Sequence, residues 1–236
     1  MRDILGRTAV LGALARQLDA GSTVVLYGPV GAGKTSVLGW LRARAQACGK
    51  PCGLSSATET LGDLTSALAQ AYPHVDVQSG TMRQARARLR SAVEESPALL
   101  LLDHLGRTGT AFKGALRAMR GTGIGVLLAA DVEQPRDQDR VRSLRLTHHE
   151  VAIPPLHGST MRALLRSLVA ETSLPRRPTD EDLGALAAAT DGLPGRAVWF
   201  VNALKDPRAW RGSRPRCDWL RTESIIAAAE RYRRAV

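Results

Sequence analysis

The run Gly28-Pro29-Val30-Gly31-Ala32-Gly33-Lys34-Thr35 constrains this chain more than any other stretch. It matches the pattern G-x-x-x-x-G-K-[ST] in full, and its surroundings agree with it. Residues 22–27 are apolar and β-prone, and read as a buried strand. Thr35 to Ala47 reads as a helix with Val37, Leu38, Leu41 and Ala45 on one face. A strand, a glycine loop and a helix in that order predict a triphosphate cradle. Gly28, Gly31 and Gly33 let the backbone turn its N–H groups inward, and the following helix points its positive end at the same anion. Pro29, Val30, Ala32 and Ser36 complete the expected binding loop. Lys34 is expected to bridge the β- and γ-phosphates, and Thr35 to place its hydroxyl on Mg²⁺.

Strands are expected near 53–56, 98–102, 124–130 and 149–153, with helices near 8–18, 60–71, 81–95, 110–120 and 137–145. Alternation of this kind, with several continuously apolar strands, predicts a parallel sheet covered on both faces. Pro154-Pro155 breaks the pattern, and the chain then reads as helices only, near 159–171, 180–190 and 194–204. The fold class expected is α/β: a P-loop NTPase three-layer sandwich of about five parallel strands, followed by a small all-helical lid. The expected domains are a core over 1–155, a lid over 156–205 and a basic extension over 206–236, with a last helix from about Glu223.

Leu99-Leu100-Leu101-Leu102-Asp103 delivers a carboxylate at the end of a buried strand. Asp103 is the expected second holder of Mg²⁺, beside Thr35. With this motif the chain resembles the AAA+ ATPases over about residues 5–204, in particular the branch shared by STAND-type and archaeal-type ATPases and transposition target-selection ATPases. The resemblance implies further roles. Leu5-Gly6-Arg7 looks like the element that closes over adenine, giving Gly6 and Arg7 a binding role. Leu127-Leu128-Ala129-Ala130-Asp131 looks like the sensor-1 strand, with Asp131 near the γ-phosphate. Ile153-Pro154-Pro155-Leu156 looks like the link into the lid. Asp191-Gly192-Leu193-Pro194-Gly195-Arg196 looks like the G-x-P or sensor-2 region, from which Arg196 reaches the phosphates. The family implies ATP as ligand, bound between core and lid, and an arginine supplied by the next subunit. Arg136, Arg140 and Arg142 lie where such a finger sits, and Arg140 is preferred.

One position departs from the family. Glu usually follows the metal-holding Asp, and here His104 does. Three readings stay open: a water-positioning imidazole, a slow enzyme that uses ATP as a switch, or a histidine packed at the strand end.

The formal charge is +11 and the pI about 10.7, carried mostly by arginine, since the lysines are Lys34, Lys50, Lys113 and Lys205 alone. Such a surface attracts polyanions. Arg83, Arg86 and Arg90 fall on one helical face, and Lys113, Arg117 and Arg120 on another. Neither face shows a balancing acid on this reading, and both are candidate DNA contacts. Arg208, Arg211, Arg214, Arg216 and Arg221, with Trp210 and Trp219 interleaved, form a third basic stretch for nucleic acid or a protein groove. Each of the three also reads as a solvated surface.

No signal peptide is read at the start, and the apolar runs near 98–102 and 124–130 are too short to span a bilayer. Cys48, Cys52 and Cys217 lack metal-ligand spacing and are expected reduced. His148, His149 and His157 lack it too, so Mg²⁺ is the single metal expected. The expectation is a cytoplasmic ATPase that binds DNA, forms a homo-oligomer with ATP and works with an effector on another chain. The alternative is a STAND-like signalling or defence switch that binds a protein partner. A kinase-like enzyme acting on a small molecule is a weaker third.

Overall fold

A computed structural model of the chain describes residues 4–104, 108–131, 135–145 and 147–234, with the side chains of 135–137 and 231–234 outside the description. By its contacts the chain forms two compact units. One comprises the residues up to Pro29 together with Lys34–Ile153, and the other comprises Val30–Gly33 and the chain from Pro154 onward.

The first unit opens with α1 (Thr8–Asp19), β1 (Thr23–Gly28), α2 (Lys34–Ala47) and β2 (Cys52–Ser55). It continues with α3 (Leu61–Ala71), α4 (Met82–Glu95), β3 (Leu99–Leu102) and α5 (Thr110–Ala118). It closes with β4 (Gly125–Asp131), α6 (Pro135–Leu144) and β5 (His149–Ala152). All five strands pair in parallel, in the order β2-β3-β4-β1-β5. This is the α/β fold of a P-loop NTPase, as expected.

Alternation across the pleat explains why the strands read as unbroken apolar runs. Val25, Leu100, Leu102, Val126, Leu128 and Ala130 point to one side and pack with α3, α4, α5 and α6. The intervening Val24, Leu26, Leu99, Leu101, Leu127 and Ala129 are equally buried. Their side takes α1 and α2. A Cβ at Gly125 would fall on the carbonyl of Leu18, so glycine there lets α1 lie directly on β4. Both α3 and α4 start in reciprocal caps. Thr60 accepts from the Asp63 backbone N–H while Asp63 accepts from that of Thr60, and Thr81 and Gln84 repeat the exchange.

In the second unit the helices are α7 (Gly158–Glu171), α8 (Asp180–Ala189), α9 (Pro194–Ala203) and α10 (Cys217–Arg234). Thr179 and Asp182 box the start of α8, and Pro194 opens α9, where its missing N–H has no intrahelical role to fill. Met161, Leu165, Leu186, Phe200 and Leu204 form the core, and Ala209, Trp210 and Leu220 join it from beyond α9. Two short antiparallel strands, β6 (Trp210–Arg211) and β7 (Arg214–Pro215), lead into α10. That helix starts at Cys217, ahead of the expected Glu223 by more than one and a half turns. Leu220, fully buried, anchors the earlier start. Trp210 is 8% exposed and its indole N–H donates to the Leu204 carbonyl at 2.8 Å. It is a core residue, and the expectation of an exposed tryptophan among arginines is corrected for it. No helix among the described residues is long and apolar enough to cross a membrane.

Candidate nucleotide site

The glycine loop follows β1 and runs into the first turn of α2. Gly31 (φ 82°) and Gly33 (φ 96°) are left-handed, a conformation that L side chains resist. Lys34 Nζ donates to the carbonyls of Gly28 at 2.5 Å and Pro29 at 3.0 Å, folding the ammonium over the start of the loop. Ala32 is buried, while Val30 is 57% exposed. Ser36 lies exposed on α2.

The sheet brings the two expected carboxylates to the same edge. Gly28 is in register with Asp131 on the neighbouring β4, so the loop departs beside that carboxylate, which is buried. Asp103 follows β3 and is 4% exposed, and its N–H donates to the Ser55 carbonyl at 2.8 Å. Thr35 Oγ1 donates to Asp103 Oδ2 at 2.7 Å. A hydroxyl at a helix start and a buried carboxylate, in contact beside a glycine cradle, form the oxygen donor set that Mg²⁺ takes when it accompanies phosphate. The residues therefore fit a magnesium nucleotide. Among the described residues no group of three or more His, Cys, Asp or Glu forms a further metal site.

His104 has a left-handed backbone (φ 51°) and a side chain 74% exposed, with Nε2 3.8 Å from Asp103 Oδ2. Exposure at this level does not fit the reading of a histidine packed at the strand end. Its N–H donates to Asp103 Oδ1 at 3.1 Å. Its carbonyl accepts from Thr58 Oγ1 at 2.9 Å, and Thr58 is completely buried. Sequence reasoning missed Thr58, because a threonine after a short strand carries no signal until the chain brings it to residue 104.

Gly6 is left-handed (φ 69°) and Arg7 is 3% exposed, with its pKa lowered by burial. Tyr27, one residue before the loop, has its hydroxyl pKa raised by burial first and by the Glu150 charge second. Arg140 lies partly buried on α6. Arg142 is exposed beside Asp139 at 3.6 Å. The side chain of Arg136 lies outside the described residues.

Within the second unit, the loop residues meet the start of α9. Gly195 N–H donates to the Gly31 carbonyl at 2.8 Å. A Cβ on Gly195 would stand 2.7 Å from Gly31 Cα, so the backbones touch only because residue 195 is glycine. Arg196 follows directly, its guanidinium paired with the Asp191 carboxylate, which also accepts from Arg221 Nη2 at 3.1 Å.

The basic faces differ from expectation in three places. Arg83 and Arg86 are exposed on α4, but Arg90 pairs with Glu94 at 3.0 Å, a balancing acid one turn on. Arg117 Nε donates to the Leu144 carbonyl at 3.0 Å and so ties α5 to the end of α6. Arg120 lies past the last residue of α5, in a turn that Gly121 and Gly123 (both φ 81°) bend away, so it is not on the helix that carries Lys113.

No protein-family model matches the chain, and no curated protein does. Among solved structures the fold is shared with the Walker-type ATPase paby2304 of Pyrococcus abyssi, at 18% identity and TM-score 0.64, over 99% of this chain and 77% of that one. It is shared with the Aeropyrum pernix ORC1 protein in complex with DNA, at 21% identity and TM-score 0.60, over 94% of this chain and 66% of that one. The Aeropyrum pernix ORC2 protein, solved in ADPNP–ADP complexes, matches at 18% identity and TM-score 0.62, over 93% of this chain and 67% of that one. The chain thus spans about two thirds of the two ORC proteins. At these identities the likeness establishes the fold.

Proposed function

We propose that this chain is an AAA+-like ATPase that binds ATP with Mg²⁺, hydrolyses it slowly, and acts as an ATP-gated DNA-binding and assembly factor. The observation that carries the nucleotide reading is the Thr35–Asp103 contact at 2.7 Å beside the left-handed glycines. The core over 1–155 and the helical region after it belong to the same reading.

Mg²⁺, when bound, would supply charge neutralisation at the phosphates. The chain's own groups do the rest. Lys34 exchanges the Gly28 and Pro29 carbonyls for phosphate oxygens. Thr35 and Asp103 would hold the metal. Asp131 lies beside the loop in the sheet register and senses the terminal phosphate. His104, exposed and next to Asp103, orients the attacking water; an imidazole in place of the family's carboxylate makes this step slow. Arg140 from a second copy completes the charge stabilisation, which ties hydrolysis to assembly.

The DNA role rests on the +11 charge and the exposed Arg83 and Arg86, and on the fold shared with an ORC1 protein solved with DNA. Its test is binding of labelled duplex DNA with ATP, with ADP and without nucleotide. Binding that needs ATP and falls with added salt supports the role. Weak binding indifferent to nucleotide removes it.

A second reading, a STAND-like switch working through a protein partner, is favoured by the engagement of Arg90 and Arg117 inside the chain. Charge reversal at the exposed Arg83 and Arg86 separates the two, because only the DNA factor loses duplex affinity.

A further inference from the structure

Asp191 is a carboxylate that two arginines of the second unit share. It follows the capped end of α8 with a left-handed backbone (φ 52°). It accepts from Arg196 on α9 and from Arg221 on α10. Arg196 is largely withdrawn from solvent, with its side chain 17% exposed, and Arg221 is 53% exposed. Arg196 also starts beside the glycine loop: its backbone N would lie 3.8 Å from a Cβ on Gly31, and the residue before it is hydrogen-bonded to that loop.

We propose that Asp191 is a restraint that holds Arg196 off the nucleotide, so that Arg196 must exchange this carboxylate for the terminal phosphate of ATP while Arg221 keeps Asp191 paired. The inference rests on the proposed nucleotide site and adds a regulator to it. A guanidinium fork fits a carboxylate and a phosphate equally well. Asp191 is itself 41% exposed, so it is not stranded when Arg196 leaves: water and Arg221 remain as its partners. Asp191 thereby competes with the γ-phosphate and sets how strongly the chain prefers ATP to ADP. It acts through Arg196 and is a positioning residue.

The test is Asp191→Asn. Asparagine adopts the left-handed region as readily as aspartate, so the turn keeps its backbone. Fluorescent ATP and ADP analogues are titrated against the wild-type protein, Asp191→Asn, Arg196→Ala, the double variant, Arg221→Gln and Lys34→Ala. The expected result is at least about fivefold tighter ATP binding by Asp191→Asn, with ADP binding little changed. The gain vanishes in the double variant. Arg221→Gln, which leaves the Arg196 pair in place, shows no such gain. Unchanged or weakened ATP binding by Asp191→Asn, while Lys34→Ala still abolishes it, overturns the inference and leaves the nucleotide reading intact. An equal gain in Arg221→Gln also overturns it, because loosening of the turn then explains both. If Lys34→Ala binds ATP as tightly as wild type, the nucleotide reading itself fails and the restraint falls with it.

Discussion

Thr35 Oγ1 reaches Asp103 Oδ2 at 2.7 Å, joining the first turn of α2 to the residue that follows β3 across sixty-eight positions of sequence. The contact exists because β4 lies between β1 and β3 and sets both strands in one register, Leu26 opposite Ala129 and Leu102 opposite Leu128. The hydroxyl satisfies a carboxylate that the strand end buries.

Breaking that pair should separate binding from turnover. Asp103→Asn keeps the shape and removes the charge that holds Mg²⁺. We expect ATP hydrolysis to fall about 100-fold, measured as phosphate release at saturating ATP. Retention of wild-type turnover would remove Asp103 from the metal site.

The approach of Gly195 to Gly31 predicts a size limit. Gly195→Ala puts a methyl 2.7 Å from Gly31 Cα. Overpacking of this kind costs about 1–3 kcal/mol. The midpoint of thermal unfolding should drop, and nucleotide binding should weaken with it. Gly184→Ala, inside α8 where a Cβ meets nothing nearer than 3.9 Å, is the control: it should leave nucleotide binding unchanged and raise the midpoint slightly, since alanine is the better helix former.

Trp210 offers a check on the carboxyl-terminal region. Trp210→Phe removes a buried indole whose N–H donates to the Leu204 carbonyl, leaving that acceptor without its donor. The expected loss is about 1–3 kcal/mol of stability, with duplex DNA affinity unchanged. A selective loss of DNA binding with stability intact would return Trp210 to a surface role.

Acid should loosen the first unit. The Arg44 hydrogen bond, with help from Lys50, holds the Asp19 carboxyl below the usual range, and the Thr60 backbone does the same for Asp63 in the cap of α3. Carboxyls depressed in the folded state lend stability that is fully present above their ordinary pKa of about 4 and is lost as pH falls through the folded value. Thermal midpoints measured from pH 6 down to pH 3 should therefore decline, and Asp19→Asn should flatten the decline. A midpoint that rises on acidification would contradict this.

Cysteine reactivity follows from burial. The Cys52 thiol is pushed up to about 11, chiefly by burial, and Cys48 is exposed. A thiolate is the reactive form. Iodoacetamide at pH 7.5 should label Cys48 and spare Cys52, read by peptide mass spectrometry.

The strands, the loop and the helix order were legible because each rests on a local signal. Continuous apolar runs such as 98–102 mark strands buried on both faces, and the glycine–lysine loop has a fixed spacing. The elements after α9 were not legible. Strands β6 and β7 have two residues each, too few for periodicity, and α10 starts early because Leu220 finds a core supplied by distant helices. The same limit hid the side-chain partners. Counting charges along α4 finds an arginine stripe, yet pairing Arg90 with Glu94 is a matter of rotamers. Arg117 looks solvated in sequence because its acceptor is a backbone carbonyl at the end of another helix. Asp191 gave no sign of holding two arginines, since Arg221 comes to it from thirty residues away.

The central claim is that the loop from Gly28 to Thr35 binds ATP. It is tested most directly by equilibrium titration of a fluorescent ATP analogue with Mg²⁺ against the wild-type protein and Lys34→Ala, with unfolding curves to show that both are folded. The account predicts saturable binding by the wild type that Mg²⁺ strengthens and Lys34→Ala loses. Equal binding by both folded proteins, or none by either, would contradict it.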